Sequence, residues 1–392
     1  MSTDATPLAA LVERADTIYR DYSLSTVRDW KAQTGGLAVG FMPIYVPCEI
    51  LHAQGVLPVG LMGARDDLEI IKGDAYYQSY ICHIPRSTIE LGLSGRLDCL
   101  DGVLFPAICD VIRNLSGMWQ MLFPGKLVRY LDVPQNFEPT IGGRFYRHEL
   151  EELSRSLTDL GAKPYDPEAL RASIGVYNAL RREVRNLYTL RQSEPWRVPT
   201  SELYLLLRAS VVIPAAEATQ MLRDYHALVL ADSSRLPLDQ ARVMLTGSFC
   251  EQPPIGLIRT LERSGCYIVD DDFVQVHRWI QSDIPTAGDP MENLVTAFLN
   301  DSMASPTRYI DKGEKGAELI TRIRRGRAEG VLFCAPSFCD PALLDQPMAV
   351  TAVEKAGLPW TAFKYAENNG QFQVIREQAG TFADSIKLWS VA

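Results

Sequence analysis

The same short pattern occurs twice in this sequence, as "GVLFPAICDVIRNL" from Gly102 and as "GVLFCAPSFCDPALL" from Gly330. In each copy Gly-Val-Leu-Phe begins an apolar run that ends in Cys-Asp, at Cys109 and at Cys339. A short apolar run followed by a helical pattern is typical of a buried strand and its following helix. The repeat therefore predicts that one folding unit occurs twice in the chain.

A longer pattern surrounds each copy. "LAVGFMPIYVPCEILHAQGVLPVGLMG" and "RVMLTGSFCEQPPIGLIRTLERSGCYIVDDDF" both predict a strand, a Pro-rich loop, a short helix, a glycine (Gly55 or Gly265) and a second strand. A final strand follows each unit, in "KLVRYLDVP" and in "GLPWTAFKYAE". Continuous apolar runs that alternate with helices are typical of parallel sheets covered on both faces. The pattern predicts an α/β protein with two doubly wound domains related by duplication.

Between the two units the pattern becomes helical, with apolar residues at helical spacing and breaks at Gly161 to Pro167 and at Pro214. The segment from Gln371 to Trp389 predicts a closing helix. We expect the following division: a helical segment over 1–35, a first α/β domain over 36–144 with Cys82 and Cys109, a helical connector over 145–240, and a second α/β domain over 241–392 with Cys339 and the closing helix.

Composition narrows the function classes. The 392 residues are 47% hydrophobic and 22% charged, and the net charge of −9 argues against a nucleic-acid partner. The one dense basic run is predicted to be a solvated helix face rather than a phosphate or CoA contact, and it contains Arg322, Arg324, Arg325 and Arg327. The sequence has no signal-peptide pattern and no apolar stretch of about 18 residues, so no membrane partner is expected. Eight cysteines without a secretory signal predict a cytoplasmic protein.

Three cysteines are candidate metal ligands. Ligands of open parallel sheets bind beyond the carboxyl ends of the strands, where Cys109 and Cys339 are expected. Cys82, in "YQSYICHIPRSTIEL", precedes a predicted helix whose N-terminus should lower the pKa of the thiol. Spacing alone leaves an iron–sulfur cluster, zinc and simple core cysteines all open, since no Cys-x-x-Cys is present.

The other five cysteines are weaker candidates. Cys48 and Cys250 occupy equivalent loops of the two units and rank second as ligands. Cys99, in a predicted helix, and Cys266 and Cys334, in predicted strands, are expected to be small core residues. His83, beside Cys82, is the histidine closest to a candidate ligand in the sequence.

Several catalytic motifs are missing from the sequence. It contains no Gly-x-Gly-x-x-Gly after a strand, which argues against a nicotinamide cofactor. It contains no Walker A motif, so ATP hydrolysis is expected from another chain, and "TGSFC" lacks the Gly-x-Ser-x-Gly of a nucleophile elbow.

Taken together, "VPCEIL", "GVLPVGL", "SYICHIPRS", "GVLFPAICDVIRNL", "GVLFCAPSFCDP" and "NNGQFQVIREQAGTF" resemble the benzoyl-CoA reductase and 2-hydroxyacyl-CoA dehydratase family. The resemblance extends from about Gly36 to Phe382 and is closest to the smaller, gamma, substrate-module subunit of ATP-dependent benzoyl-CoA reductases. It implies two flavodoxin-like domains joined by a helical segment. It also implies one 4Fe–4S cluster held by Cys82, Cys109 and Cys339, with the fourth iron position not fixed by these motifs.

The activity that the resemblance implies is reduction of benzoyl-CoA to a cyclic dienoyl-CoA by single-electron, ketyl-radical chemistry, driven by ATP and ferredoxin. The implied partners are a homologous second cluster-bearing subunit, separate ATPase subunits that receive electrons from ferredoxin, and the acyl-CoA substrate, in a heterotetramer. Three alternatives remain: a 2-hydroxyacyl-CoA dehydratase subunit, a non-catalytic electron-transfer subunit, and an α/β binding protein without metal. His83, Glu49 and Asp110 lie near the motifs, and the sequence assigns none of them as proton donor.

Overall fold

The computed structural model describes residues 6–63, 68–308, 315–366 and 372–389. Two helices come first, α1 (Pro7–Arg20) and α2 (Ser25–Thr34). Thr6 caps α1 by accepting a hydrogen bond from the backbone N–H of Ala9 at 3.2 Å. The beginning of the predicted "NNGQFQVIREQAGTF" motif, through Gln371, lies outside the described residues.

The first sheet follows. Its strands and helices, which we call the first unit, are β1 (Leu37–Phe41), α3 (Cys48–Ala53), β2 (Val56–Gly60), α4 (His83–Leu93), β3 (Gly102–Pro106), α5 (Asp110–Leu122) and β4 (Leu127–Leu131). The strands are parallel and lie in the order β2-β1-β3-β4. All five residues of β3 are buried, as expected for a strand covered on both faces.

Helices then fill the middle of the chain, after a π-helical turn at Pro139–Gly143. They are α6 (Arg144–Asp159), α7 (Pro167–Ser193), α8 (Thr200–Ser210) and α9 (Ala215–Ala231). The predicted breaks occur where expected: α7 begins at Pro167, and Pro214 precedes α9 as its N-cap. Proline is tolerated at these positions because the first N–H groups of a helix have no partner within the helix.

The second unit repeats the first. It contains β5 (Ala241–Thr246), α10 (Ile255–Arg263), β6 (Cys266–Asp270), α11 (Pro290–Asp301), α12 (Ala317–Gly326), β7 (Gly330–Pro336), α13 (Asp340–Lys355), β8 (Trp360–Tyr365) and α14 (Gln373–Trp389). Its strands are parallel in the order β6-β5-β7-β8, the same order as in the first sheet. The predicted α/β fold class is thereby confirmed. The division into four domains at 35, 144 and 240 stays a prediction.

The glycine that begins each Gly-Val-Leu-Phe copy permits a close approach. A Cβ on Gly102 would lie 2.7 Å from the backbone oxygen of Leu127 in the neighbouring strand. A Cβ on Gly330 would lie 2.7 Å from side-chain atoms of Phe382 and Ile386 in α14. The repeated glycine therefore serves packing in both units, against a strand in one and against a helix in the other.

The long helix α7 contacts both units. Its Arg181 forms a buried ion pair with Glu49 of the first unit at 2.6 Å, and its Arg191 forms one with Asp271 of the second unit at 2.7 Å. Tyr188 lies between them on the helix and donates a hydrogen bond to Asp271 at 2.8 Å. One helix thus connects both units through buried ion pairs. Each charge in these pairs can stay buried only because its partner neutralises it.

Two of our sequence expectations were wrong in this region. Arg322 is not on a solvated face but is buried, where it binds Asp272 at 2.7 Å and Asp270 at 2.8 Å. The other three arginines of the basic run, Arg324, Arg325 and Arg327, are exposed as expected. Cys99 is buried as predicted, but it lies in a turn after α4 rather than in a helix. In the described part of the chain no helix is long and apolar enough to cross a membrane.

Candidate metal centre

Three helices begin directly after the three predicted ligands. Cys82 is the N-cap residue of α4, Cys109 that of α5 and Cys339 that of α13. The repeated sequence accounts for two of these positions: β3 and β7 each end at a proline, and the cysteine and the helix follow after a short turn. Cys109 and Cys339 are therefore held at the carboxyl ends of their strands, where open parallel sheets bind ligands.

The structure brings these three cysteines to one cavity of about 780 Å³ between the two units. The first unit contributes Cys82 and Cys109, and the second contributes Cys339. Cys250, which our sequence analysis ranked second, lines the same cavity. Its counterpart Cys48 does not, and lines a separate small cavity with Glu49, Tyr177 and Arg181.

Backbone N–H groups point at two of the thiols. Those of Val111 and Ile112, in the first turn of α5, donate to the sulfur of Cys109. That of Ala342, in the first turn of α13, donates to the sulfur of Cys339. Free N–H groups and the helix dipole favour negative charge at a helix N-terminus. These two sites are therefore built to hold anionic sulfur.

Burial has the opposite effect on these thiols. Burial raises the pKa of Cys82 well above its usual value, and the neighbouring Glu251, Cys339 and Cys109 raise it further. Burial likewise raises the pKa of Cys109, and it raises the pKa of Cys339 to about 12. Our expectation that the helix N-terminus would lower the pKa of Cys82 was wrong, because desolvation outweighs the dipole at this depth.

Glu251 connects the two units beside the cysteines. Its side chain is buried, and its Oε2 accepts a hydrogen bond from the backbone N–H of His83 at 2.9 Å. Its backbone oxygen accepts one from the Tyr365 hydroxyl at 2.6 Å. A residue of the second unit thus satisfies the first N–H of α4. No local pattern indicates this contact, because the two residues are far apart in the chain.

Tyr77 is a second residue that the sequence analysis missed. Its hydroxyl is buried and has no hydrogen-bond partner among the described residues. Burial raises the pKa of Tyr77, and the nearby Cys82 and Cys109 raise it further. The phenol therefore stays protonated and is available as a hydrogen-bond donor near these two cysteines.

The cavity lining combines charged and apolar side chains. Arg308 and Lys315 line it together with Asp110, Asp340 and Asp345, and Lys315 forms an ion pair with Asp345 at 2.8 Å. Leu344 and Met348, one helical turn apart on α13, also line it, with 75% and 47% of their surface exposed. This lining offers both apolar contact and polar groups to a ligand.

The remaining cysteines lie elsewhere. Cys266 begins β6 and Cys334 lies inside β7, and both are fully buried in the core as predicted. His83 is buried beside Cys82, but it does not line the cavity.

The cavity suits an iron–sulfur cluster better than a single metal ion. In the described part of the chain, no three His, Cys, Asp or Glu side chains form a group that could hold a single metal ion. An iron–sulfur cluster needs a different arrangement, because each cysteine binds a different iron of a larger body. A roomy cavity with sulfur donors from several helix N-termini fits this requirement, and thiolates are the ligands that such clusters use.

Comparison with known proteins gives a consistent result. Residues 43–386 match the family described as "2-hydroxyglutaryl-CoA dehydratase, D-component". The chain is 54% identical to a benzoyl-CoA reductase subunit of Thauera aromatica, over 97% of this chain and 99% of that protein. It is 28% identical to the beta subunit of lactoyl-CoA dehydratase of Anaerotignum propionicum, over 91% and 94% of the two chains. It is 25% identical to the (R)-phenyllactyl-CoA dehydratase beta subunit of Clostridium sporogenes, over 90% and 93%.

Proposed function

The chain belongs to the 2-hydroxyglutaryl-CoA dehydratase D-component family, and on that premise we propose that it is the iron–sulfur subunit of an ATP-dependent, ferredoxin-driven benzoyl-CoA reductase. The observation that carries the proposal is the 54% identity, over nearly the full length, to a benzoyl-CoA reductase subunit. Identity to the dehydratase subunits is about half as high. The cysteine-lined cavity between the two units supports an iron–sulfur role.

In this proposal Cys82, Cys109 and Cys339 hold a 4Fe–4S cluster. When bound, such a cluster supplies electrons one at a time. The chain's own contribution is to stabilise negative charge at the sulfurs through the N–H groups of the helix N-termini. Cys339 is buried, whereas Cys82 and Cys109 are partly exposed, and this exposure and the hydrogen bonds to sulfur together determine how easily an electron enters and leaves such a cluster.

The substrate in this proposal is an aromatic acyl-CoA. Adding an electron to benzoyl-CoA places negative charge on the thioester oxygen, and hydrogen-bond donors in a site without bulk water stabilise that charge. The Tyr77 hydroxyl is a buried, protonated donor beside Cys82 and Cys109. In the cavity lining, Leu344 and Met348 offer apolar contact to such a substrate.

The proposed partners are a homologous second cluster-bearing subunit, separate ATPase subunits and, through them, ferredoxin, in a cytoplasmic heterotetramer. The relatives are named as subunits, which supports a multi-subunit enzyme. The chain has no Walker A sequence, so the proposal assigns ATP hydrolysis to another subunit.

A second candidate function is that of a 2-hydroxyacyl-CoA dehydratase subunit. The family description and the names of two of the relatives favour it. The two functions differ in their use of electrons. A dehydratase recovers its electron in each cycle, whereas a ring reductase consumes electrons in every turnover.

The reconstituted multi-subunit complex distinguishes the two. It is given benzoyl-CoA in one assay and a 2-hydroxyacyl-CoA in another, and product and ATP are measured together. The proposal predicts loss of benzoyl-CoA in strict proportion to ATP hydrolysis and to consumption of the electron donor. Continued dehydration after ATP is withdrawn, without any loss of benzoyl-CoA, would show that the dehydratase function is the right one.

A further inference from the structure

A fourth thiol reaches the cavity that holds the three predicted ligands. Cys250 follows β5 in the second unit, only 8% of its surface is exposed, and it lines the cavity together with Cys82, Cys109 and Cys339. The family resemblance identified three ligands only, so Cys250 has no role in the function proposed above.

Several contacts place Cys250 among the other three thiols. Its backbone N–H donates to the sulfur of Cys339. Burial raises the pKa of Cys250 well above its usual value, and Cys339, Cys109 and Cys82 each raise it further. The geometric observation is that all four cysteines line the same cavity.

The equivalent loop of the first unit shows that this position is not a general property of the fold. There Pro47 is the N-cap and the helix begins at Cys48, so the thiol turns away into the small cavity near Glu49 and Arg181. In the second unit Pro253 and Pro254 delay the start of α10 to Ile255. A residue before proline avoids the helical conformation, so no helix begins at Gln252 or Pro253. Cys250 therefore stays in the loop at the end of β5, beside the cavity.

We propose that Cys250 is the fourth protein ligand of the cluster, an inference that rests on the iron–sulfur function proposed above. Its thiol gives its proton to solvent, and the resulting thiolate binds the iron that Cys82, Cys109 and Cys339 leave without a protein ligand. Each iron then carries one protein sulfur, and none is left open to a substrate. The cluster of this subunit is consequently an electron relay, and the acyl-CoA is reduced without binding to its iron.

The test uses the full-length chain, purified anaerobically, with iron and acid-labile sulfide measured before and after mild oxidation with ferricyanide. A cluster with three protein ligands loses its open iron under these conditions and gives the electron paramagnetic resonance signal of a three-iron cluster. The wild type is expected to keep its iron and to show no such signal. Cys250→Ala is expected to lose one iron in four and to give the three-iron signal. Cys48→Ala, at the equivalent position of the first unit, should behave like the wild type.

Three results separate this inference from the proposed function. A wild-type chain that gives the three-iron signal, or a Cys250→Ala chain that keeps all its iron on oxidation, overturns the fourth ligand while the cluster itself stands. A wild-type chain that binds neither iron nor sulfide overturns the cluster and the fourth ligand together. The wild-type measurement needs no substitution, so it decides the question even if Cys250→Ala does not fold.

Discussion

The two units have the same strand order but contribute differently to the cavity. In the second unit the loops after β5 and β7 both deliver a cysteine, Cys250 and Cys339. In the first unit the loop after β3 delivers Cys109, whereas the loop after β1 sends Cys48 to another cavity. Cys82 comes instead from the long segment after β2. The duplicated sheet therefore determines which loops can carry a metal-binding cysteine. The conformation of each loop determines whether its cysteine lines the cavity.

The same asymmetry appears where the units meet α7. In the first unit, Glu49 forms an ion pair with Arg181 of α7. In the second unit Asp271 pairs with Arg191 and also with Arg278, which lies 3.1 Å away and stacks on the ring of Tyr188 with its guanidinium carbon 3.9 Å from the ring centroid. The second unit therefore depends on a denser network of buried charges. Networks of this kind are destabilised strongly when one member is removed.

The largest expected difference between the units follows from this network. Asp271→Asn should lower the free energy of unfolding by about 3 to 5 kcal/mol, because it leaves the fully buried Arg191 without its carboxylate. Glu49→Gln should cost less, because among the described residues Glu49 pairs with Arg181 alone, whereas Asp271 pairs with both Arg191 and Arg278. Urea denaturation of the two variants measures both effects. Equal losses, or a larger loss for Glu49→Gln, would show that the two anchors are equivalent.

A smaller difference is expected in acid. Each unit has a histidine that is hydrogen-bonded to a serine of the helical region: the partly buried His52 to Ser173 at 2.8 Å and the buried His277 to Ser210 at 2.7 Å. Burial lowers the pKa of both, and with Arg181 and Arg278 nearby the pKa of His277 falls to about 3. Below pH 6.5 the histidine binds a proton in the unfolded chain but not in the folded protein, because its folded pKa is lower. The stability present at pH 7 is therefore lost as the pH falls from 6.5 towards 3.

At pH 5 the loss from His277 should be about 2 kcal/mol, at about 1.36 kcal/mol for each pH unit below the unfolded pKa. His277→Gln should remove this part of the pH dependence between pH 7 and pH 5. His52→Gln should remove less, because His52 is less deeply buried and Glu49 favours its charged form. Thermal unfolding of the wild type and both variants across this range is the measurement. An unchanged pH profile in His277→Gln would contradict the assignment.

The smallest expected effect is a loss of stability that should be the same in both units. Gly55 and Gly265 occupy matching breaks before β2 and β6, with φ of +77° and +85°. A Cβ at either position meets only side-chain atoms, at 3.5 Å or more, so the cost of alanine comes from the left-handed backbone alone. Gly55→Ala and Gly265→Ala should each lower stability by about 1 kcal/mol. A clear difference between the two variants in thermal unfolding would mean that the matching turns are not equivalent.

Much of the fold could be predicted because its signals are local. Apolar runs such as those that begin at Gly102 and Gly330 need burial on both faces, and that requirement indicates a parallel sheet without knowledge of any contact. The Cys-Asp that follows each run marks the start of a helix, which brings Cys109 and Cys339 to the carboxyl ends of their strands.

The features that could not be predicted depend on partners distant in sequence. Arg322 belongs to a basic run that is otherwise exposed, and it is buried only because Asp270 and Asp272 face it from the end of β6. The pKa of Cys82 depends on how deeply the second unit covers it, and a helix N-terminus in the sequence says nothing about that depth. The different directions taken by Cys48 and Cys250 do have a local signal, the position of the prolines after each cysteine.

The central claim is that the two units together hold one iron–sulfur cluster, and a double substitution tests it most directly. Cys109→Ala/Cys339→Ala removes one thiol from each unit, and Cys99→Ala/Cys334→Ala is the matched control, with one core thiol removed from each. Iron, acid-labile sulfide and visible charge-transfer absorbance are measured on the anaerobically purified chains. We predict near-complete loss of iron and absorbance in the first variant and nearly wild-type values in the second. Full iron occupancy in Cys109→Ala/Cys339→Ala would contradict the claim.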